Sequence, residues 1–349
     1  MHEIDLKNYK IRTDLLVDSF DTNSSHDGVI HNIEKIDDLI LEETEITKEG
    51  STLLNKKVGL YKTISFKDIT DKTNYKKVED LFIKTLKKML EENNIKEKDT
   101  VLIIGLGNDK STPDALGPKV VDNILVTRYL FALGEVEEEY RNVSSFKPNV
   151  TGTTGIETKD LVSSIVNTVL PDFIIIIDAL ASSSIDRLNK TIQITNTGIE
   201  PGSGVGNTRD EISKETINVP VIVIGVPTIV DAATIVNDTF KYMQKQISYK
   251  LDNIDNNKLK LVPHTNQNYE NHENNLTEKE KQEMLGMIGT LTEEDFKSLI
   301  YEVLSPINYN LMVTPKEIDF VIDKLSLLIG NGINKVLHKS FKTTNSEVK

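Results

Sequence analysis

Three short runs that are apolar on both faces constrain this chain most: Val101-Leu-Ile-Ile-Gly105, Phe173-Ile-Ile-Ile-Ile177 and Val219-Pro-Val-Ile-Val-Ile-Gly225. A strand with one wet face alternates polar and apolar residues, whereas a continuous run marks a central strand covered by helices on each side. Segments with helical or loop character separate the runs, with helices expected over residues 117–133, 158–170 and 228–246. The order is βαβαβα. The expected fold class is therefore α/β, a mainly parallel twisted sheet with helices on both faces. Ahead of this core, Leu81, Phe82, Leu86, Met89 and Leu90 recur at helical spacing within residues 78–94, and residues 58–66 alternate as a strand.

The expected organisation is one α/β domain: strands over 15–77, a core over 78–250, an excursion over 251–282 and C-terminal helices over 283–340. The excursion is placed where asparagine and charge crowd into Asn266-Gln-Asn-Tyr-Glu-Asn-His-Glu-Asn-Asn275, a composition that buries no core. With 38% hydrophobic residues in 349, the chain has enough apolar surface for a sizeable core. No apolar run reaches the length of a membrane span, and the first residues lack the pattern of a secretory signal, so a cytoplasmic protein with no membrane partner is expected.

Several chemistries are excluded by what the chain lacks. With no cysteine it has no disulfide, thiolate metal site or cysteine nucleophile. Its six histidines, His2, His26, His31, His264, His272 and His338, all lie outside the βαβαβα core, which rules out a serine–histidine–aspartate triad there. His272-Glu273 reads as solvated, and no metal or other cofactor is expected. The stretch Gly105-Leu-Gly-Asn-Asp-Lys110 carries Asp109 and Lys110 where a phosphate loop or dinucleotide fingerprint requires glycine. The net charge of −13 argues against direct contact with nucleic acid.

Carboxylates remain. Asp178 directly follows the second run, and Asp114 lies in the loop after the first, at the strand ends where open α/β sheets place their sites. A lone Asp114 would read as a turn or cap residue. Two aspartates converging from neighbouring strands acquire separated proton affinities and form a water-activating acid–base pair. Asn108, Lys119 and Glu157 are supporting candidates. The glycine-rich loop of residues 198–207 contains Gly202, Ser203, Gly204 and Gly206, which either let a peptide approach closely or serve only as a long turn.

The strings Ile104-Gly-Leu-Gly-Asn108, Thr112-Pro-Asp-Ala-Leu-Gly-Pro118, Ile177-Asp-Ala-Leu-Ala181, Pro201-Gly-Ser-Gly-Val-Gly-Asn207, Gly286-Met-Ile-Gly-Thr-Leu291 and Asn310-Leu-Met-Val-Thr-Pro-Lys-Glu317 closely resemble the germination proteases of endospore-forming bacteria. The resemblance runs over nearly the whole chain. It implies an atypical aspartic endopeptidase that degrades small acid-soluble spore proteins in the forespore and spore core, assembled as a homotetramer. The family's two essential aspartates fall on Asp114 and Asp178. It also implies a proenzyme whose propeptide, residues 1–14, is removed by self-cleavage between Asp14 and Leu15 in Arg12-Thr-Asp-Leu-Leu16. A shorter resemblance, through Gly105-Leu-Gly-Asn108 and Asp114, is to hydrogenase-maturation endopeptidases, which implies a related fold and leaves open a metal-dependent use of the same carboxylates. The rival from another class is a non-catalytic binding protein for small basic spore proteins.

Overall fold

The computed structural model describes residues 13–22, 24–134, 136–202, 210–253, 269, 272–304 and 311–341. The chain divides into two compact units. The larger runs to Ser182, continues over Asp186–Ile229 and resumes at Thr314; the smaller comprises Ser183–Ile185 and Val230–Val313 among its described parts.

The described strands are β1 (Val29–Ile36), β2 (Leu39–Ile46), β3 (Gly59–Ser65), β4 (Val101–Gly105), β5 (Val143–Phe146), β6 (Phe173–Ser182), β7 (Thr191–Thr195), β8 (Val221–Asp231) and β9 (Met312–Val313). Eight follow one path, β1-β2-β3-β7-β8-β6-β4-β5. The pairs β4–β5 and β4–β6 are parallel, with Gly105 opposite Ile177. β1, β2, β3, β7 and β8 pair antiparallel in succession. The α/β class is as the sequence indicates, and its additional strands extend the same sheet as an antiparallel wing. β1 and β2 were hard to read because charged residues interrupt their apolar alternation, and β5, at the parallel edge, is only four residues long.

Alternation along the buried strands builds a core on each face. Val101 and Ile103 of β4, Phe173, Ile175 and Ile177 of β6, and Ile222, Ile224 and Val226 of β8 join the helices Lys72–Glu92, Leu116–Asp122 and Ile318–Leu337. Leu102, Ile104, Ile174, Ile176, Val221 and Val223 point the other way, against Val162 and Val166 of the helix Thr158–Val169. Asp178 continues the second set by parity, so its side chain emerges on the face of Ile174 and Ile176.

Two expected helices have different bounds. The expected 117–133 helix is two, Leu116–Asp122 and Arg128–Leu133. The third apolar run extends through Pro227 to Asp231 before its helix, Ala232–Asp252, begins under an Asp231 cap donated to by the Ala233 N–H at 2.8 Å. Within the smaller unit, β9 pairs Val230 and Asp231, Phe240 stacks on Phe296, and His272 pairs with Asp252 at 2.9 Å. The excursion ends earlier than expected, since Thr277 and Glu280 form a reciprocal capping box that starts the helix Glu278–Leu285. Residues 254–268, 270 and 271 of that excursion lie outside the described residues.

Candidate active site

Close backbone approach brings the two aspartates together. A Cβ on Gly117 would lie 2.2 Å from Leu106 O and 2.6 Å from Ile177 O, so glycine lets the helix Leu116–Asp122 press onto the ends of β4 and β6. The preceding turn, Thr112–Asp114, is consequently held over the end of β6. Gly107 adopts φ +109, and a Cβ there would meet Asp114 O at 2.0 Å and its Oδ1 at 3.0 Å. The turn is fastened by Asn108 N–H to Asp114 O at 3.0 Å and by Thr228 Oγ1 to Pro113 O at 2.7 Å.

Asp114 does not cap the following helix, whose N-cap is Ala115. Burial raises its proton affinity from the ordinary 3.8 to about 6, against a smaller opposing effect of the Asn108 N–H. Asp178 is buried, and its Oδ1 accepts its neighbour's Ala179 N–H at 2.9 Å. Burial first, then the charges of Asp114 and Asp14, push its carboxyl well above the ordinary range. Of the two, Asp178 is the more disposed to hold a proton, and the less buried Asp114 is the first to ionise. Such a pair supplies one base and one acid.

Asp14 is a third carboxylate, whose charge bears on Asp178. Its N–H donates to Ala181 O at 3.1 Å and its Oδ2 accepts the Ala181 N–H at 2.9 Å, which docks residues 13–18 against the end of β6. Leu15, Leu16 and Val17 are buried, Leu15 and Val17 on Leu180, Leu16 against Ile46 and Tyr61. Lys56 Nζ donates to Thr13 O at 3.1 Å. Burial lowers the proton affinity of Lys56, while Asp14, Asp18 and Glu200 oppose that shift. Asp18 anchors the arm through Arg187 Nε at 2.9 Å, Ser182 Oγ at 2.9 Å and Thr13 Oγ1 at 2.8 Å. Gln193 of β7, also buried, donates from Nε2 to Asp14 O at 3.3 Å and accepts the Leu16 N–H on Oε1 at 2.8 Å.

Of the supporting candidates, Asn108 stands in the turn that carries Asp114, with its Oδ1 accepting the Lys110 N–H at 3.0 Å. Lys119 is ion-paired with Asp323 of the C-terminal helix. Glu157 occupies the N-cap position of the helix Thr158–Val169. Gly202 sits in a turn at φ +77, while Ser203, Gly204 and Gly206 lie outside the described residues. The base of their loop is closed by reciprocal Ile199 and Ile212 main-chain bonds of 2.9 and 2.8 Å. Sequence reasoning missed Lys56 and Gln193. For Gln193 a signal existed: in Thr191-Ile-Gln-Ile-Thr195 a glutamine interrupts a strand whose every residue is buried. No three His, Asp or Glu side chains converge as a metal site among the described residues.

Two carboxylates, Asp178 buried and Asp114 half-buried, thus stand at the strand ends beside a docked extended segment, a pairing of the kind acid–base hydrolysis uses. A model of the germination protease family matches residues 9–348, and the chain belongs to that family. It is thus a peptidase of spore germination. Its relatives include the germination proteases of Geobacillus sp., 42% identical with 98% of each chain covered, and of Bacillus subtilis, 43% identical with 98% of this chain and 97% of the relative covered. That of Priestia megaterium is 42% identical, with 98% of each covered. Among solved structures, a NiFe hydrogenase maturation protease, HycI of Thermococcus kodakarensis, aligns with 41% of this chain and 80% of its own at 17% identity and TM-score 0.26.

Proposed function

We propose that this chain is an aspartic-type endopeptidase that begins the breakdown of small acid-soluble spore proteins, and that it is made as a zymogen which cuts its own Asp14–Leu15 bond. The observation that carries this reading is the docking of Asp14 on Ala181, in the same strand as Asp178 and beside the turn that carries Asp114, with the charges of Asp114 and Asp14 both bearing on the buried Asp178 carboxyl. Ionised Asp114 takes a proton from water as the oxygen bonds to the peptide carbonyl carbon. Protonated Asp178 then gives its proton to the leaving nitrogen as the C–N bond breaks. No metal is required by this scheme. Asn108 supports the Asp114 turn through its N–H, and Glu157, Lys119 and the loop of Gly202, Ser203, Gly204 and Gly206 are left to substrate positioning. We assign the active form to a homotetramer in the forespore and spore core.

Incubating the purified chain and sequencing its N-terminus over time tests the reading, with Leu15 expected as the new first residue. Added small acid-soluble spore protein should yield fragments. Binding of that protein without fragments, at every stage of processing, would instead support the non-catalytic rival.

A further inference from the structure

The geometry points to Gln193 as the group that clamps the bond to be cut and stabilises the charge that forms on its carbonyl oxygen. This inference rests on the proposed cut at Asp14–Leu15. The arm crosses the sheet on the face of Asp178: Asp14 is tied to Ala181 of β6, Leu15 lies on Leu180, and Leu16 meets Gln193 of β7. Between those strands β8 contributes Gly225, paired with Gln193, where a Cβ would stand 2.4 Å from the Leu180 side chain. The glycine makes room for the Leu180 side chain on which Leu15 lies, next to Gln193 in the sheet.

One primary amide then brackets one residue, Leu15, whose amino side carries the bond to be cut. Its oxygen holds the N–H of Leu16 and its nitrogen holds the C=O of Asp14. The orientation of the amide is fixed by chemistry, because a backbone N–H only donates and must face Oε1, which turns Nε2 to the carbonyl. Glutamate at this place would satisfy Leu16 but repel the Asp14 oxygen, and an apolar residue would leave both groups unmet. As water adds to the Asp14 carbonyl carbon, negative charge gathers on the oxygen that Nε2 already touches. The present 3.3 Å contact is long for a neutral bond and has room to shorten as that charge grows. Hydrolysis then places the water oxygen on Asp14 and the proton on the Leu15 nitrogen.

The test is the first-order rate of self-cleavage in Gln193→Glu, measured on full-length protein well below its Tm, with Asp178→Asn alongside. The glutamate keeps the acceptor for Leu16 and loses the donor to Asp14, so the expected rate is about 10²–10³-fold lower than wild type, the usual loss for one oxyanion donor. Gln193→Met, neutral and of similar length, replaces it if Gln193→Glu does not fold. A lower Tm with an unchanged rate in the folded protein would mark Gln193 as merely structural and overturn the assignment, as would faster processing. Wild-type rate in Gln193→Glu beside an inert Asp178→Asn removes the Gln193 assignment alone. Self-cleavage in Asp178→Asn at the wild-type rate, or a wild-type chain that stays uncut, overturns the proposed function beneath it.

Discussion

Asp114 and Asp178 are costly residues, and the cost has a sign that can be checked. Both carboxyls bind protons more tightly in the folded chain than in a flexible one. For Asp114 the folded state holds more protons between about pH 4 and 6, so stability falls as pH rises through that window, and the penalty persists above it. Asparagine removes the ionisable group. Asp114→Asn should therefore stabilise the protein by on the order of 2 kcal/mol at pH 8 and by almost nothing at pH 4, while lowering peptide hydrolysis by at least about 10²-fold. Thermal unfolding at the two pH values and a cleavage assay read the opposed effects; a variant less stable at pH 8 than at pH 4 relative to wild type contradicts the burial argument. The wild-type rate should fall on the acid side near pH 6, where Asp114 gains its proton. At this scale the sequence was informative about identity and silent about environment. Strand-end placement selected the two aspartates, but no spacing reveals that Asp14, far away in the chain, adds its charge to theirs.

At the level of elements, the site depends on how closely a turn lies against a strand. Gly107 holds Asp114 by having no side chain, and its φ of +109 suits few other residues. Gly107→Ala should displace the Thr112–Asp114 turn, cost about 1–3 kcal/mol and cut the hydrolytic rate far more than the fall in stability explains. A comparison of Tm with kcat decides it, and unaltered kcat would show that the turn tolerates the shift. The three apolar runs were legible because burial on both faces leaves no polar residue in a strand. Other pieces were less so. β7 is short, and what buries its polar side chains is the tertiary fold, with Gln193 against the arm. The 117–133 segment breaks at Asn123, which ends one helix and whose carbonyl oxygen is taken by Asn334 Nδ2 at 2.8 Å, a contact 211 residues away.

For the whole molecule, the larger unit contains every described group of the candidate site, and no described helix is long and apolar enough to cross a membrane. Hydrolysis through a carboxylate pair should survive metal removal. Exhaustive dialysis against a chelator is expected to leave cleavage within about twofold of its starting rate. Loss that is restored by a divalent cation would move the same carboxylates to a metal-binding role. The strand over 58–66 was legible as β3, but how the antiparallel wing pairs was not, because its partners are distant in the chain, as β3 on β7.

The docked arm carries one last implication. Cutting after Asp14 would leave Leu15, Leu16 and Val17 buried where they are, so little of the packed interior need be rebuilt. What changes is the local charge: an anion departs from beside Asp178 and a new amino terminus arises at Leu15. Both changes ease ionisation of Asp178. The scission would act as a one-way titration, carried out once by the chain on itself and preserved for as long as the molecule lasts.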